Sequence, residues 1–490
     1  NLHSWTATSC HGTMVRWRAR IVAALLLIAP SIQLSTNSAG GHHAEKRRIG
    51  VIGGGASGMF AATAAADALR KKDMRDCEVV VLEGGKRTMT KVAISGGGRC
   101  NVLHDTSKPV PEILNGYPRG SKELNGLMTK RFSPDNAKDW FTSHGVKLKT
   151  EEDGRMFPVT DDSQTVIDAI SWAADDAGVK VRMSEKVSSI KKVDGTFVVS
   201  AGSQEEIFDA VILATGSSKA GHEFAANLGH RIVQPVPSLF TLNAKHEIKE
   251  GGTFHGLSGL SVQNAQITLK VAVPGRKKKK AIMREGPLLI THHGLSGPAA
   301  LRLSAFAARE FHDAEYKCTV TVHWAPDFGS VDEIDKTLTT VKGLSPKRMV
   351  SSACPLLCEG GSSAIPRRLW SALVIRSGFD PDTIWCEAPK KKIRKLAAIV
   401  GEFNVDVTGK GVFKEEFVTA GGISLKDIAM KNMESKKCPD LFFCGEVIDV
   451  DGVTGGFNFM NCWSTGFVAG NGAATCVHNK VLDAKPSATS

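Results

Sequence analysis

Residues 47–58 read RRIGVIGGGASG, and together with residues 59–83 they decide the fold. Ile49, Val51 and Ile52 make an apolar run of strand length, and Gly53, Gly55 and Gly58 then fall on G-x-G-x-x-G. The next stretch, MFAATAAADALRKK at 59–72, has helix composition and a basic C-terminal end. EVVVLE at 78–83 is a second apolar strand that ends in an acid. Strand, glycine turn, helix, strand and acid in this order predict a dinucleotide-binding βαβ unit. Gly53 permits the tight turn, Gly55 leaves room for a pyrophosphate against the backbone, and Gly58 lets helix and strand pack closely. The helix N-terminus, including Ala56 and Ser57, faces the phosphates with its positive end. Glu83 is placed to accept hydrogen bonds from a ribose.

Further strands of the same domain appear far downstream. FDAVILATG at 208–216 ends in a small open turn at Ala214, Thr215 and Gly216. Residues 441–470 read as a strand, an acidic glycine-rich loop and a helix. The middle of the chain, about 237–412, is therefore an insertion. Its first part carries alternating apolar residues in NAQITLKVAVPG (264–275) and CTVTVHWAPDF (318–328), as half-buried strands do. After about 330 the pattern turns helical. The expected divisions are a leader at 1–44, a nucleotide-binding domain at 45–236 and 413–480, a β-rich insert at 237–329, a helical insert at 330–412 and a tail at 481–490.

Taken together, these segments resemble the BaiN-like family of FAD flavoproteins, also described as aminoacetone-oxidase-family enzymes. The matching pieces are VIGGGASG, KVAISGGGRCNV (91–102), DGRMFPV (153–159), ATG (214–216), THHGLSGPAALRLS (291–304), FVTAGGISLKDI (417–428), MESK (433–436) and FFCGEVIDVDGVTGGFNF (442–459). The resemblance implies an α/β, Rossmann-like FAD-binding domain of glutathione-reductase type, interrupted by a β-barrel-like domain and a small helical one. It also gives SGGGRCN a task beside the cofactor. Gly97 and Gly98 let backbone N–H groups approach it, Arg99 neutralises phosphate or an anionic reduced flavin, Cys100 packs beside it, and Asn101 offers its amide to the ring edge. In the C-terminal motif, Gly445 and Glu446 fall at the ribityl chain, and Asp449 shares that role or shapes the turn. Gly455, Gly456 and Phe457 open a helix toward the flavin, and Asn458 caps it or contacts the ring. Arg155 either reaches the substrate or holds a loop, and His292 and His293 invite a general-acid reading.

No second glycine fingerprint follows a strand, so NAD(P)H, if it is the donor, docks transiently. The expected function is FAD-dependent oxidation or reduction of a small organic substrate. The alternatives are RNA modification by a flavin enzyme, amine oxidation using oxygen, and FAD binding without catalysis.

The 490 residues carry a net charge of +12, concentrated in RKKKK at 276–280 and in the basic residues of 390–395. These runs lack interleaved aromatic residues and read as solvated faces rather than a nucleic-acid surface. The 11 cysteines have neither paired spacing nor zinc-knuckle spacing, so neither a disulfide framework nor a metal site is expected. Oligomeric state leaves no mark on the sequence. Residues 1–44 contain no Asp or Glu, and Arg16, Arg18 and Arg20 precede IVAALLLIA at 21–29. This pattern reads as a removed leader for an organelle or the secretory pathway, too short in its apolar part to keep the mature protein in a membrane, or otherwise as a disordered tail on a cytoplasmic protein. N-terminal sequencing from the native source is expected to place the mature start after about residue 35, by the small-residue stretch that follows the apolar core. A mature chain that begins at or before Met14 refutes this.

Overall fold

The computed structural model describes residues 46–74, 76–271, 280–411 and 418–483. The expected leader, residues 276–279 of the basic run and most of the tail lie outside the described residues.

The opening stretch folds as read. Strand β1 (Arg48–Ile52), helix α1 (Ala56–Lys71) and strand β2 (Glu78–Glu83) form the expected unit. β1 and β2 are parallel, with Ile49 opposite Val79 and Ile52 opposite Leu82. Strand β3 (Lys180–Met183) adds beyond β2, and β4 (Ala210–Leu213) pairs with β1 on its other side. The C-terminal segment then supplies β5 (Leu441–Phe443), parallel to β4. All four residues of β4 and all three of β5 are buried. Such continuous apolar runs mark strands covered on both faces. An antiparallel meander, 187–193, 196–201 and 204–208, forms the connection from β3 to β4.

The chain leaves this domain along Ile232–Ser238 and returns along Val418–Ile423, and the two stretches pair antiparallel. Between them lies a seven-stranded antiparallel sheet, whose order begins with Phe403–Val407 and ends with Gly409–Lys410. Thr408 alone separates these two end strands in sequence, so the sheet curls round on itself. Residues 403–410, expected inside the helical part, are thus strands of the β-rich part. Helices Val331–Leu344, Arg367–Arg376 and Lys390–Gly401 pack into the same hydrophobic core as that sheet, around the buried Trp324, Trp370 and Trp385. The basic face of 390–395 is solvated. Lys390, Lys391, Arg394 and Lys395 are exposed, whereas Ile393 and Leu396 are buried.

Helix α2 (Phe457–Asp483) closes the nucleotide-binding domain by crossing α1 at close range. A Cβ at Gly466 would stand 2.8 Å from the Ser57 carbonyl oxygen, and one at Gly470 would stand 2.3 Å from that of Ala61. The absence of side chains sets the distance between the two helices. Replacing Gly470 with Ala is expected to destabilise the protein by about 1–3 kcal/mol, the usual cost of overpacking. Gly126 lies in the helix Ser121–Lys130, and a Cβ placed on it would have no atom within 4 Å. Gly126→Ala is expected to stabilise by about 0.5–1 kcal/mol. Urea unfolding followed by circular dichroism distinguishes the two, and equal effects would overturn the packing argument.

Candidate functional site

The glycine turn after β1 is built by contacts that exclude side chains. Gly53 has a φ of +104°, and a Cβ there would lie 2.6 Å from the Ala214 carbonyl oxygen. At Gly58 a Cβ would meet the Gly53 carbonyl oxygen at 1.9 Å. Gly55 is different. It is the N-cap of α1 with no side-chain cap, and nothing lies within 4 Å of a Cβ placed on it. The helix start is therefore open to a ligand, as a diphosphate requires. Glu83 stands beside this turn. Its two carboxylate oxygens accept from the Gly54 N–H at 2.6 Å and the Gly85 N–H at 2.7 Å. An open glycine-capped helix start and an acid fixed at the next strand end fit the diphosphate and ribose of a dinucleotide.

The C-terminal motif comes to the same place. A Cβ at Gly445 would lie 2.2 Å from Ser57 Oγ, and Thr465 on α2 accepts from the Gly445 N–H at 2.9 Å. Glu446 accepts from Lys91 Nζ at 2.7 Å and from the Thr419 N–H at 3.2 Å, beside Gly216. Ala214, Thr215 and Gly216 follow β4 at the same end of the sheet. The Thr215 hydroxyl turns toward Gly221, which leaves this turn to act through its backbone.

A second cluster joins SGGGRCN to the start of α2. In the orientation dictated by its neighbours, the Asn101 amide donates to the Leu103 carbonyl at 3.0 Å, and its oxygen accepts from the Gly456 N–H at 3.0 Å. His104 stacks on Phe457 with ring centroids 4.4 Å apart, and its Nδ1 lies 3.0 Å from the Gly455 carbonyl. A carbonyl only accepts, so Nδ1 carries the proton and Nε2 is left with a lone pair. Burial is the main cause that holds the His104 pKa below the ordinary histidine value. Lys108 acts in the same direction, while the Gly455 carbonyl, Asp105 and Asp153 oppose it. His104 is the residue that motif reading misses. Its signal is its position, three residues after Asn101 in NVLH and opposite Arg155 across a short antiparallel pairing.

Several expected site residues are engaged by other parts of the protein. Arg99 is not a lone charge facing a cofactor. It pairs with Glu151 and with Asp161 at 2.9 Å, and its guanidinium lies 3.9 Å from the Phe157 ring centroid. Two carboxylates neutralise it, and it braces the loops that follow Gly97 and Gly98. Asn458 does not cap its helix toward a ring. It holds both the N–H and the carbonyl of Gly452, at 2.8 and 3.0 Å. Asp449 faces the insert, 3.4 Å from Arg309, and burial pushes its carboxyl up. Cys100 is fully buried with a φ of +57°, and burial raises its thiol to about 12, which makes it a packing residue. Arg155 holds its own loop through Asp153 at 2.7 Å and Glu151 at 2.9 Å. His292 and His293 are exposed on a tight turn of the insert, with His293 contributing its backbone carbonyl to the Ala244 N–H.

Residues 47–472 match the family described as "HI0933-like protein Rossmann domain". The chain belongs to this family. Among its relatives are the ribosomal RNA dihydrouridine synthases of Escherichia coli (26% identical, 85% of this chain and 95% of that one) and Haemophilus influenzae (26%, 85% and 96%). Another is the 3-dehydro-bile acid delta(4,6)-reductase of Clostridium scindens (26% identical, 87% of this chain and 99% of that one). The HI0933-like chain is accordingly an FAD-dependent oxidoreductase with a Rossmann-type FAD-binding domain. Among its described residues no group of His, Cys, Asp and Glu is placed to hold a metal ion, and no helix is long and apolar enough to cross a membrane.

Gly55 supplies a direct test of the phosphate site. Because nothing occupies the space above it, Gly55→Leu is expected to fold normally and to lose most of its FAD, read as 450 nm absorbance per protein. Full occupancy in a folded variant would remove Gly55 from the site.

Proposed function

We propose that this protein reduces a carbon–carbon double bond conjugated to a carbonyl group, with NADH or NADPH as a transient electron donor. The observation that carries this reading is the chemistry shared by the relatives' names. Forming dihydrouridine and reducing a delta(4,6) 3-dehydro bile acid both saturate carbon–carbon double bonds in molecules that also carry a carbonyl. Bound FAD supplies the hydride exchange. The protein's task is then to hold the substrate and deliver a proton to the second carbon. His104 is the residue we assign to that proton. The Gly455 carbonyl fixes its tautomer, Phe457 stacks on its ring, and Nε2, which meets the side-chain-free Gly154, is the nitrogen that would carry the proton. Ser57, Glu83, Glu446 and the open start of α1 serve the cofactor, and Arg155 borders Gly455 on the same side as His104.

A second reading, RNA as the substrate, draws on the net charge of +12 and the solvated basic face of 390–395. One experiment addresses both. The purified flavoprotein is mixed anaerobically with NADH, NADPH or amines, and the reduced protein is then mixed with 2-cyclohexenone, a 3-oxo-4-ene steroid or a uridine-containing RNA. Reduction by a nicotinamide and reoxidation by an enone are expected. Reduction by an amine alone would overturn the proposal, and reoxidation by RNA alone would establish the second reading. His104→Gln is expected to leave reduction by NAD(P)H unchanged and to slow reoxidation by about 10²-fold, the lower range for a lost proton donor. In the unaltered protein the reoxidation rate should fall as pH rises through the depressed His104 pKa, because the protonated ring is the donor. The variant should lack this dependence.

A further inference from the structure

Arg284 and Arg302 converge on Phe306 where the insert meets the FAD-binding domain, and among the described residues no ion pair joins either to a carboxylate. Arg284 lies on strand Lys280–Ile290, directly opposite Ile267 on the neighbouring strand. Cross-strand partners share a face, so Arg284 leaves the sheet on the side that buries Ile267. It is half-buried, donates to the Met283 carbonyl, and lies 3.4 Å from the centroid of the Phe306 ring. Arg302 precedes Phe306 by four residues on helix Gly297–Phe306, which puts both on one helix face. Glu285, the next residue on the strand, points to the opposite face and accepts from Asn264 at 3.0 Å.

The location gives the pair meaning. Phe306 packs against both hydrophobic cores, that of the FAD-binding domain and that of the insert. The carbonyl of Ala305 accepts from Arg119 at 2.8 Å, and Arg119 also pairs with Asp451 in the C-terminal motif. Arg309, in the helix that follows, pairs with Asp449. The helix carrying Arg302 is therefore tied at its end to the loop that precedes the Gly455–Gly456 turn. Bringing two permanent cations together without a counter-ion is unfavourable, and partial burial increases the cost. Burial and the nearby Arg302 both lower the Arg284 pKa, as an unpaired like-charge pair requires.

We propose that Arg284 and Arg302 form a subsite for an oxyanion, a carboxylate or phosphate group carried by the substrate at the seam between insert and FAD-binding domain. Guanidinium groups present planar paired donors that match either group. Assigning the anion to the substrate rests on the reductase reading, but ion binding is measured without turnover, so the two fail separately.

The test uses the FAD-loaded protein. Thermal unfolding is followed by flavin fluorescence while sodium phosphate or sodium acetate replaces sodium chloride at constant ionic strength. One of the two ions is expected to raise the melting temperature in a saturable way, and which one does so tells phosphate from carboxylate. Arg302→Met and Arg284→Met are each expected to weaken the apparent ion affinity by about tenfold or more, the loss of a charge-assisted contact. Both should retain their 450 nm absorbance. Arg302 is exposed, so its variant keeps the test valid if Arg284→Met folds poorly. No saturable stabilisation by either ion, or the same affinity in Arg302→Met, would overturn the proposal.

Discussion

The whole candidate site depends on how closely the N-terminal glycine turn approaches the C-terminal motif. Ser57 Oγ and the Cys444 carbonyl are 3.5 Å apart although 387 residues separate them in sequence. That approach is possible because Gly445 has no side chain to meet Ser57, and because Gly466 and Gly470 let α2 lie on the backbone of α1. Hydrogen bonds from the Gly445 N–H to Thr465 and from Asn461 to the Gly445 carbonyl then fix the loop onto the helix. A methyl group at any of these glycines would push the two halves of the candidate site apart. Insertion of roughly two hundred residues between β4 and β5 costs the domain little by comparison, because the insert leaves and returns along one antiparallel pair and has its own core.

The parts legible in the sequence are those set by local rules. The βαβ unit follows from apolar runs, glycines and a terminal acid between Arg48 and Glu83, and Glu83 falls where that pattern puts it. The interruption between β4 and β5 is legible because both segments are apolar strands followed by glycine-containing turns. Long-range ion pairing is not. Nothing near Arg99 announces that Glu151 and Asp161 neutralise it, since both partners arrive through a separate strand pairing. The family motif marks the position of Arg99 but not its partners. His104 is hidden for a related reason. Its importance comes from Gly455 and Phe457, the first of which lies 351 residues away. The strands at 403–410 escape notice because each is short and they come directly after a helix with a strong pattern of its own.

Asp451 and Arg119 are the firmest polar link in this arrangement. Asp451 is fully buried, and Arg119 grips both of its oxygens while Ser238 donates to it at 3.0 Å. Burial pushes the carboxyl up, and the guanidinium and hydroxyl oppose that push. Removing either partner would leave an uncompensated buried charge, a far larger loss than the net value of the pair. The contact joins four parts of the chain, since Ser238 belongs to the outgoing stem and Arg119 also reaches Ala305. It therefore fixes the insert relative to the loop before α2, and the position of Phe306 between the two cores is a consequence of it.

Charge pairing then divides the molecule by task. Several cations around the glycine turn and the start of α2 are matched by acids: Lys91 with Glu446, Arg99 with Glu151 and Asp161, Arg155 with Asp153, Arg119 with Asp451. These pairs shape loops and contribute little net potential beyond a few ångströms, because each positive charge has a negative one in contact. The open N-terminus of α1, whose first turn carries no acid, adds positive potential there. Arg284 and Arg302 form the exception at the insert seam. The open helix start suits the diphosphate of a cofactor, and the proposed guanidinium pair suits an oxyanion on its reaction partner.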